Sequence, residues 1–250
     1  MTLRFSLRCA LALALALVLV FAVATARAQS PQPPQASPPL DSIDQRAQVC
    51  TPCHGKEGRA TNDGYYPRIA GKPAGYLYNQ LINFRDGRRH FPMMAYLTAR
   101  QRDDYLRELA AYFASQHPPY PPPKRESGDN ASFERGRVLA SDGDAQHDIP
   151  ACSSCHGRRL LGVAPAVPGL LGLSRDYLIG QLGSWRNGTR RALAPDCMSQ
   201  IVQRLSQADL VAVTTWLASQ AVPVDSAPEQ AFERQPALMC GSIERTGTAP

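Results

Sequence analysis

The chain has 250 residues, with 22 prolines, 7 cysteines and a formal charge of +6. That length allows one large domain or two ordinary ones, and 7% aromatic residues is sparse for filling a core. The basic balance does not read as a nucleic-acid surface, because Arg4, Arg8 and Arg27 fall in a leader and supply three of the six charges.

Residues 1–28 are expected to be a secretory signal peptide. Arg4 and Arg8 stand before a Leu/Ala/Val run from Cys9 to Val23, and Ala26-Arg27-Ala28 offers a small-x-small cleavage site. The run is short for a membrane span, and an uncleaved anchor is the alternative. Export to the periplasm would put the six remaining cysteines in an oxidising compartment, where a free thiol is a liability. Residues 29–40 read as a Pro-rich tether. A second proline run, Pro118 to Pro123, opens a linker over 118–130 that cannot continue the preceding helix. It separates a first unit, 41–117, from a second, 131–223, and 224–250 form a C-terminal tail.

The two units repeat each other. Pro67, Gly71, Tyr76, Leu77, Gln80, Leu81, Phe84, Arg85, Gly87 and Arg89 recur in one unshifted register. Their counterparts are Pro168, Gly172, Tyr177, Leu178, Gln181, Leu182, Trp185, Arg186, Gly188 and Arg190. Each copy opens with a short amphipathic helix, around Ile43 to Val49 and Phe133 to Ala140. A middle helix follows, with Tyr76, Leu77, Gln80, Leu81 and Phe84 at helical spacing and Gly87 placed to end it. The last helix of the first copy carries Tyr105, Leu106, Leu109, Ala110 and Phe113. In the second copy Ser206 is a suitable N-cap for Leu210 to Leu217. No alternating strand pattern competes, so the expected fold is all-α, in two tandem domains.

Cys50-Thr51-Pro52-Cys53-His54 and Cys152-Ser153-Ser154-Cys155-His156 are both C-x-x-C-H. Two thiols at that spacing can add across haem vinyl groups, and the adjacent His54 or His156 is then brought under the iron as proximal ligand. A zinc knuckle or a redox dithiol is the alternative for any single motif. Two motifs at equivalent places of a duplication favour two haem c groups, and a porphyrin would supply the apolar volume that the side chains lack. Pro67 and Pro168 lie where a backbone carbonyl could accept from the ring N–H of His54 and His156, orienting each ligand; the alternative is that both prolines only shape their loops.

Met198 is the distal candidate in the second copy. In the first copy Met94 is the best match to it, with Met93 and His90 as alternatives. Methionine/histidine ligation leaves no open coordination site, which suits electron transfer rather than catalysis. Cys197 and Cys240 are the unassigned cysteines, and a disulfide between them suits an exported protein. The alternative has the Cys197 thiolate on the iron.

These motifs resemble the two-domain class I cytochromes c of the cytochrome c4 type. The shared pattern runs from Cys50 to Gly55, Pro67 to Gly71, Tyr76 to Gly87 and Met94, and again from Cys152 to Met198. The first copy departs from the family's Leu-Ser-Asp lead into the last helix, with Thr98-Ala99-Arg100 instead, and the tail with Cys240 is an addition. The resemblance implies a periplasmic carrier of single electrons rather than an enzyme. Its partners would be a donor, either a dehydrogenase or a quinol-oxidising complex, and an acceptor, either a terminal oxidase or another cytochrome, with no nucleic acid. The rival readings are a di-haem redox enzyme, such as a peroxidase or a thiosulfate dehydrogenase, and a haem subunit docked to a membrane-bound dehydrogenase complex.

Overall fold

The computed structural model describes residues 41–61, 63–123 and 128–243. The expected signal peptide, the 29–40 tether, linker residues 124–127 and tail residues 244–250 lie outside the described residues.

The first half begins with α1 (Ile43–Ala47), where the Ser42 hydroxyl accepts from the Gln45 amide and the Gln45 side chain accepts back from Ser42. A single 3-10 turn, Gln48–Cys50, leads into α2 (Thr51–His54), which holds the end of the first cysteine motif. Then come α3 (Ala74–Arg85), α4 (Pro92–Thr98) and α5 (Asp103–Ala114). The second half repeats the order with α6 (Asn130–Ser141), α7 (Ser153–His156), α8 (Arg175–Arg186), α9 (Cys197–Arg204) and α10 (Gln207–Ser219). Both halves are thus built almost entirely of helices, in the same order.

The last helices set the register between the copies. Leu106, Leu109, Ala110 and Phe113 are buried along α5, and Leu210, Val213, Thr214 and Leu217 along α10. Both are i, i+3, i+4, i+7 stripes, the face a helix turns to a core. Ser206 caps α10 in a reciprocal pair with Asp209, whereas Arg102 at the same place before α5 makes no side-chain cap. The missing Leu-Ser-Asp lead is thus visible as an uncapped helix, with Asp103 and Asp104 in its first turn to favour the helix dipole.

Each half has its own apolar cluster. Ala47, Leu77, Leu109, Ala110 and Phe113 form the first. The second is larger and gathers Leu139, Ile149, Leu161, Leu171, Leu178 and Leu217 among others.

Three features were not legible in the pattern. The segments carrying the methionines are the short helices α4 and α9, begun by Pro92 in its first turn and by the Asp196 side chain accepting from the Ser199 amide. A two-residue hairpin, β1 (Gly162–Val163) with β2 (Val167–Pro168), braces the second long loop, too short to leave an alternating signature. The tail adds to that hairpin through a parallel bridge from Glu229 to Val163, in which the Glu229 amide donates to the Gly162 carbonyl (2.9 Å) and its carbonyl accepts from Ala164 (2.7 Å).

The proline linker packs against both halves. Arg68 lies over the Tyr120 ring (3.7 Å) and donates to the Pro118 carbonyl, and a Cβ on Gly172 would run into the edge atoms Cδ1 and Cε1 of the same ring. A direct seam joins the halves as well: Arg89 and Arg190 bridge antiparallel, the His90 amide donates to the Thr189 carbonyl (2.8 Å) and the Arg191 amide to the Arg88 carbonyl (2.7 Å).

Helices α6 and α10 cross closely at a glycine. A Cβ at Gly136 would collide with the Ala212 carbonyl and approach the Trp216 Cβ to 2.8 Å. Gly136→Ala therefore forces the two helices apart and lowers stability by about 1–3 kcal/mol, read as a fall in the denaturant midpoint of the haem-loaded protein.

Candidate functional site

Each C-x-x-C-H segment closes as one helical turn and leaves it through a glycine with positive φ, Gly55 at 72° and Gly157 at 84°. A side chain there is excluded on two grounds: the left-handed backbone disfavours a Cβ, and one on Gly55 would stand 2.5 Å from the Ala60 carbonyl oxygen. The turn folds back so that the Ala60 amide donates to the His54 carbonyl (2.7 Å), which directs the chain toward Pro67.

Both histidines are buried and both meet a proline carbonyl. His54 Nδ1 donates to the Pro67 oxygen at 2.9 Å and His156 Nδ1 to the Pro168 oxygen at 2.7 Å. A carbonyl can only accept, so this contact selects the Nδ1–H tautomer and leaves the Nε2 lone pair for a metal. Burial lowers the pKa of each ring, more than the carbonyl contact raises it. The neutral imidazole that a metal needs is the favoured form.

A redox dithiol works through a thiolate with a lowered pKa, and at the first cysteine of each motif the shift runs the other way. Burial pushes the Cys50 thiol up to about 11, with Cys53 adding to the effect, and pushes Cys152 to about 11. Among the described residues no group of three or more His, Cys, Asp and Glu side chains is placed to hold a bare metal ion.

Between the halves lies a polar cluster with near two-fold symmetry. Arg89 donates to Gln80 Oε1 (2.9 Å), Gln181 Oε1 (2.6 Å) and the Tyr177 hydroxyl (3.2 Å). Arg190 answers with bonds to Gln181 Oε1 (2.8 Å), Gln80 Oε1 (3.1 Å) and the Tyr76 hydroxyl (3.5 Å). Arg89 stacks over Phe84 and Arg190 over Trp185, at 4.5 and 3.7 Å. Both guanidiniums are buried, and burial beside Arg89 pulls Arg190 down to about 10. Among the described residues neither has a carboxylate within salt-bridge reach. Two buried cations without an acid make a site suited to an anionic group, and haem carries two carboxylates. Arg89 also stands near enough to His54 to help lower the pKa of its ring.

The distal candidates fall into register. Met94 precedes Leu106 by as many residues as Met198 precedes Leu210, and both methionines are half-buried. Met93 occupies the place of Cys197 and is 54% exposed. His90 is exposed, with its amide committed to the seam. Cys197 is joined to Cys240 in a disulfide, so its sulfur is not a free thiolate. That bond ties the tail to the start of α9, beside Met198.

The sequence marked Tyr76, Gln80 and Arg89 and their counterparts only as repeat landmarks. The signal that could have given them a role is polar side chains retained in both copies on an otherwise apolar helix face. Lys72 had no such signal, because its counterpart is Leu173.

The paired turns, neutral histidines and all-α fold define a di-haem c-type cytochrome, an electron-transfer protein carrying two haem c groups. No family model matches the chain. Curated relatives do: the thiosulfate dehydrogenase electron acceptor of Thiomonas intermedia is 34% identical over 70% of this chain and 79% of its own length. Cytochrome c4 of Pseudomonas aeruginosa is 32% identical over 69% of this chain and 84% of its own. Among solved structures, reduced cytochrome c4 from Pseudomonas stutzeri superposes with a TM-score of 0.61 at 26% identity, over 72% of this chain and 97% of that one. The chain belongs to the cytochrome c4 family of di-haem cytochromes.

Gln80 and Gln181 each accept from both guanidiniums, which keeps two like charges facing one another across the seam. Gln181→Leu removes two charged acceptor bonds at once. The expected cost is about 2–4 kcal/mol, seen as loss of cooperativity between the halves in calorimetry of the haem-loaded protein.

Proposed function

We propose that this protein is a periplasmic carrier of single electrons, organised as two cytochrome domains over 41–117 and 131–223. The observation that carries this reading is the duplicated arrangement itself: in each half a proline-anchored histidine follows two cysteines, and a methionine stands in matching register before the last helix. Cys50 and Cys53 hold one haem and Cys152 and Cys155 the other. His54 and His156 present Nε2 on one side, while Met94 and Met198 close the other. Each haem, when bound, supplies a one-electron couple. The protein's own contribution is to fix the ligand tautomer through Pro67 and Pro168, exclude substrate from the metal, and neutralise the haem carboxylates with Arg89 and Arg190.

The electron donor in this reading is a dehydrogenase of the kind that oxidises thiosulfate. Support comes from the relatives: two of those found are named as electron acceptors of thiosulfate dehydrogenase, each 34% identical to this chain. The leader agrees with export, and among the described residues no helix is long and apolar enough to cross a membrane.

The oxidised protein mixed with a thiosulfate dehydrogenase and thiosulfate should reduce within turnover of the enzyme and should produce no tetrathionate when the enzyme is omitted. Failure of the first arm removes this donor, and activity in the second returns the di-haem enzyme. A separate measurement tests the ligands. Met94→Ala and Met198→Ala should each remove about half of the methionine-to-iron charge-transfer band, whereas Met93→Ala leaves it whole.

A further inference from the structure

The duplication is broken at one buried charge. In the first half the loop after Pro67 runs through Gly71, where the Gly71 amide donates to the Phe113 carbonyl, and then presents Lys72. Its side chain leaves its own half. Nζ donates to the Gly169 carbonyl of the second half at 2.9 Å, and Lys72 is only 6% exposed. Gly169 directly follows Pro168, whose carbonyl accepts from His156 at 2.7 Å. Two consecutive carbonyls are therefore held, one by the proximal histidine of the second half and one by an ammonium from the first.

No equivalent exists in reverse. The register that pairs Gly71 with Gly172 pairs Lys72 with Leu173, which packs against the apolar cluster of its own half. Among the described residues Lys72 has no carboxylate partner; the charged or titratable groups around it are Arg68 on its own loop and His156 across the seam. A cation in a site of reduced dielectric acts on its neighbours far more strongly than one in water.

We propose that Lys72 is a positioning residue of the second haem site, which steadies the carbonyl loop behind His156 and raises the potential of the second haem without a matching effect on the first. The physical reason for the sign is simple. Reduction lowers the positive charge at the iron, so a nearby cation favours the reduced form. An electron that enters the protein is thereby biased toward the second half. This inference rests on the electron-carrier reading for its consequence, but the potentials themselves can be read without any partner.

The test is a stepwise redox titration of the haem-loaded protein, following assigned haem-methyl resonances so that each iron's oxidised fraction is read separately. It is best run at about pH 6, below the value of about 7 to which burial and Arg68 pull the Lys72 ammonium. Lys72→Gln keeps a donor and removes the charge; Lys72→Met removes both. In each variant the electron distribution at half-reduction should move toward the first haem, on the order of tenfold. Only Lys72→Met should also disturb the His156 ring signals. An unchanged distribution in Lys72→Gln overturns the charge effect, and an equal shift of both haems overturns the asymmetry. Either result leaves thiosulfate-dependent reduction intact, so it is distinct from a failure of the donor reading.

Discussion

The contact on which both haem sites depend is a backbone carbonyl held against a histidine ring. Proline is well suited to supply it, because its fixed φ keeps the chain extended and its missing N–H leaves no donor to compete inside the loop. Once the Pro67 and Pro168 oxygens are in place, the tautomer of His54 and His156 follows, and with it the direction of the free Nε2. The cysteine turn then has one productive orientation. Gly55 and Gly157 are what let the chain leave that turn toward the proline rather than continue as helix.

The seam shows how a duplication can join itself. A group near a two-fold axis meets its own copy, so a retained arginine faces an arginine, which is repulsive unless something intervenes. Here the intervening atoms are the Oε1 oxygens of Gln80 and Gln181, each accepting from both cations, with Phe84 and Trp185 stacked behind. The same arrangement concentrates positive charge at the seam, with no carboxylate among the described residues to offset it. The contact between the halves thus rests on one shared hydrogen-bond network rather than on separate pairs.

Much of this was legible in the chain because duplication and covalent chemistry both leave local marks. The C-x-x-C-H segments are contiguous, and the register from Pro67 to Arg89 repeats without a gap. What was hidden has a physical cause in each case. Helices α4 and α9 span too few turns to show a period, and β1 and β2 are two residues each. The Pro118–Pro123 segment reads as a spacer, yet Tyr120 fills a gap between Arg68 and Gly172, a contact between residues far apart in sequence. Lys72 reads as a surface residue by type, and only the packing of the two halves buries it.

The halves have diverged in a consistent direction. The second has the larger apolar cluster, the capped last helix, the hairpin bridged by the tail, and a disulfide that ties the tail beside Met198. The first has the smaller cluster and an uncapped α5, with Met93 and Tyr96 exposed along α4. A more enclosed site has a lower effective dielectric, and there a charged group has the greatest leverage on a redox centre. Lys72 delivers its charge to that enclosed half from outside it. The equivalent residue, Leu173, packs against the apolar cluster of its own half and sends no charge across the seam. Divergence at this one position therefore adds a charge to differences the two halves already carry, and the contact through which it acts exists only while the halves stay docked.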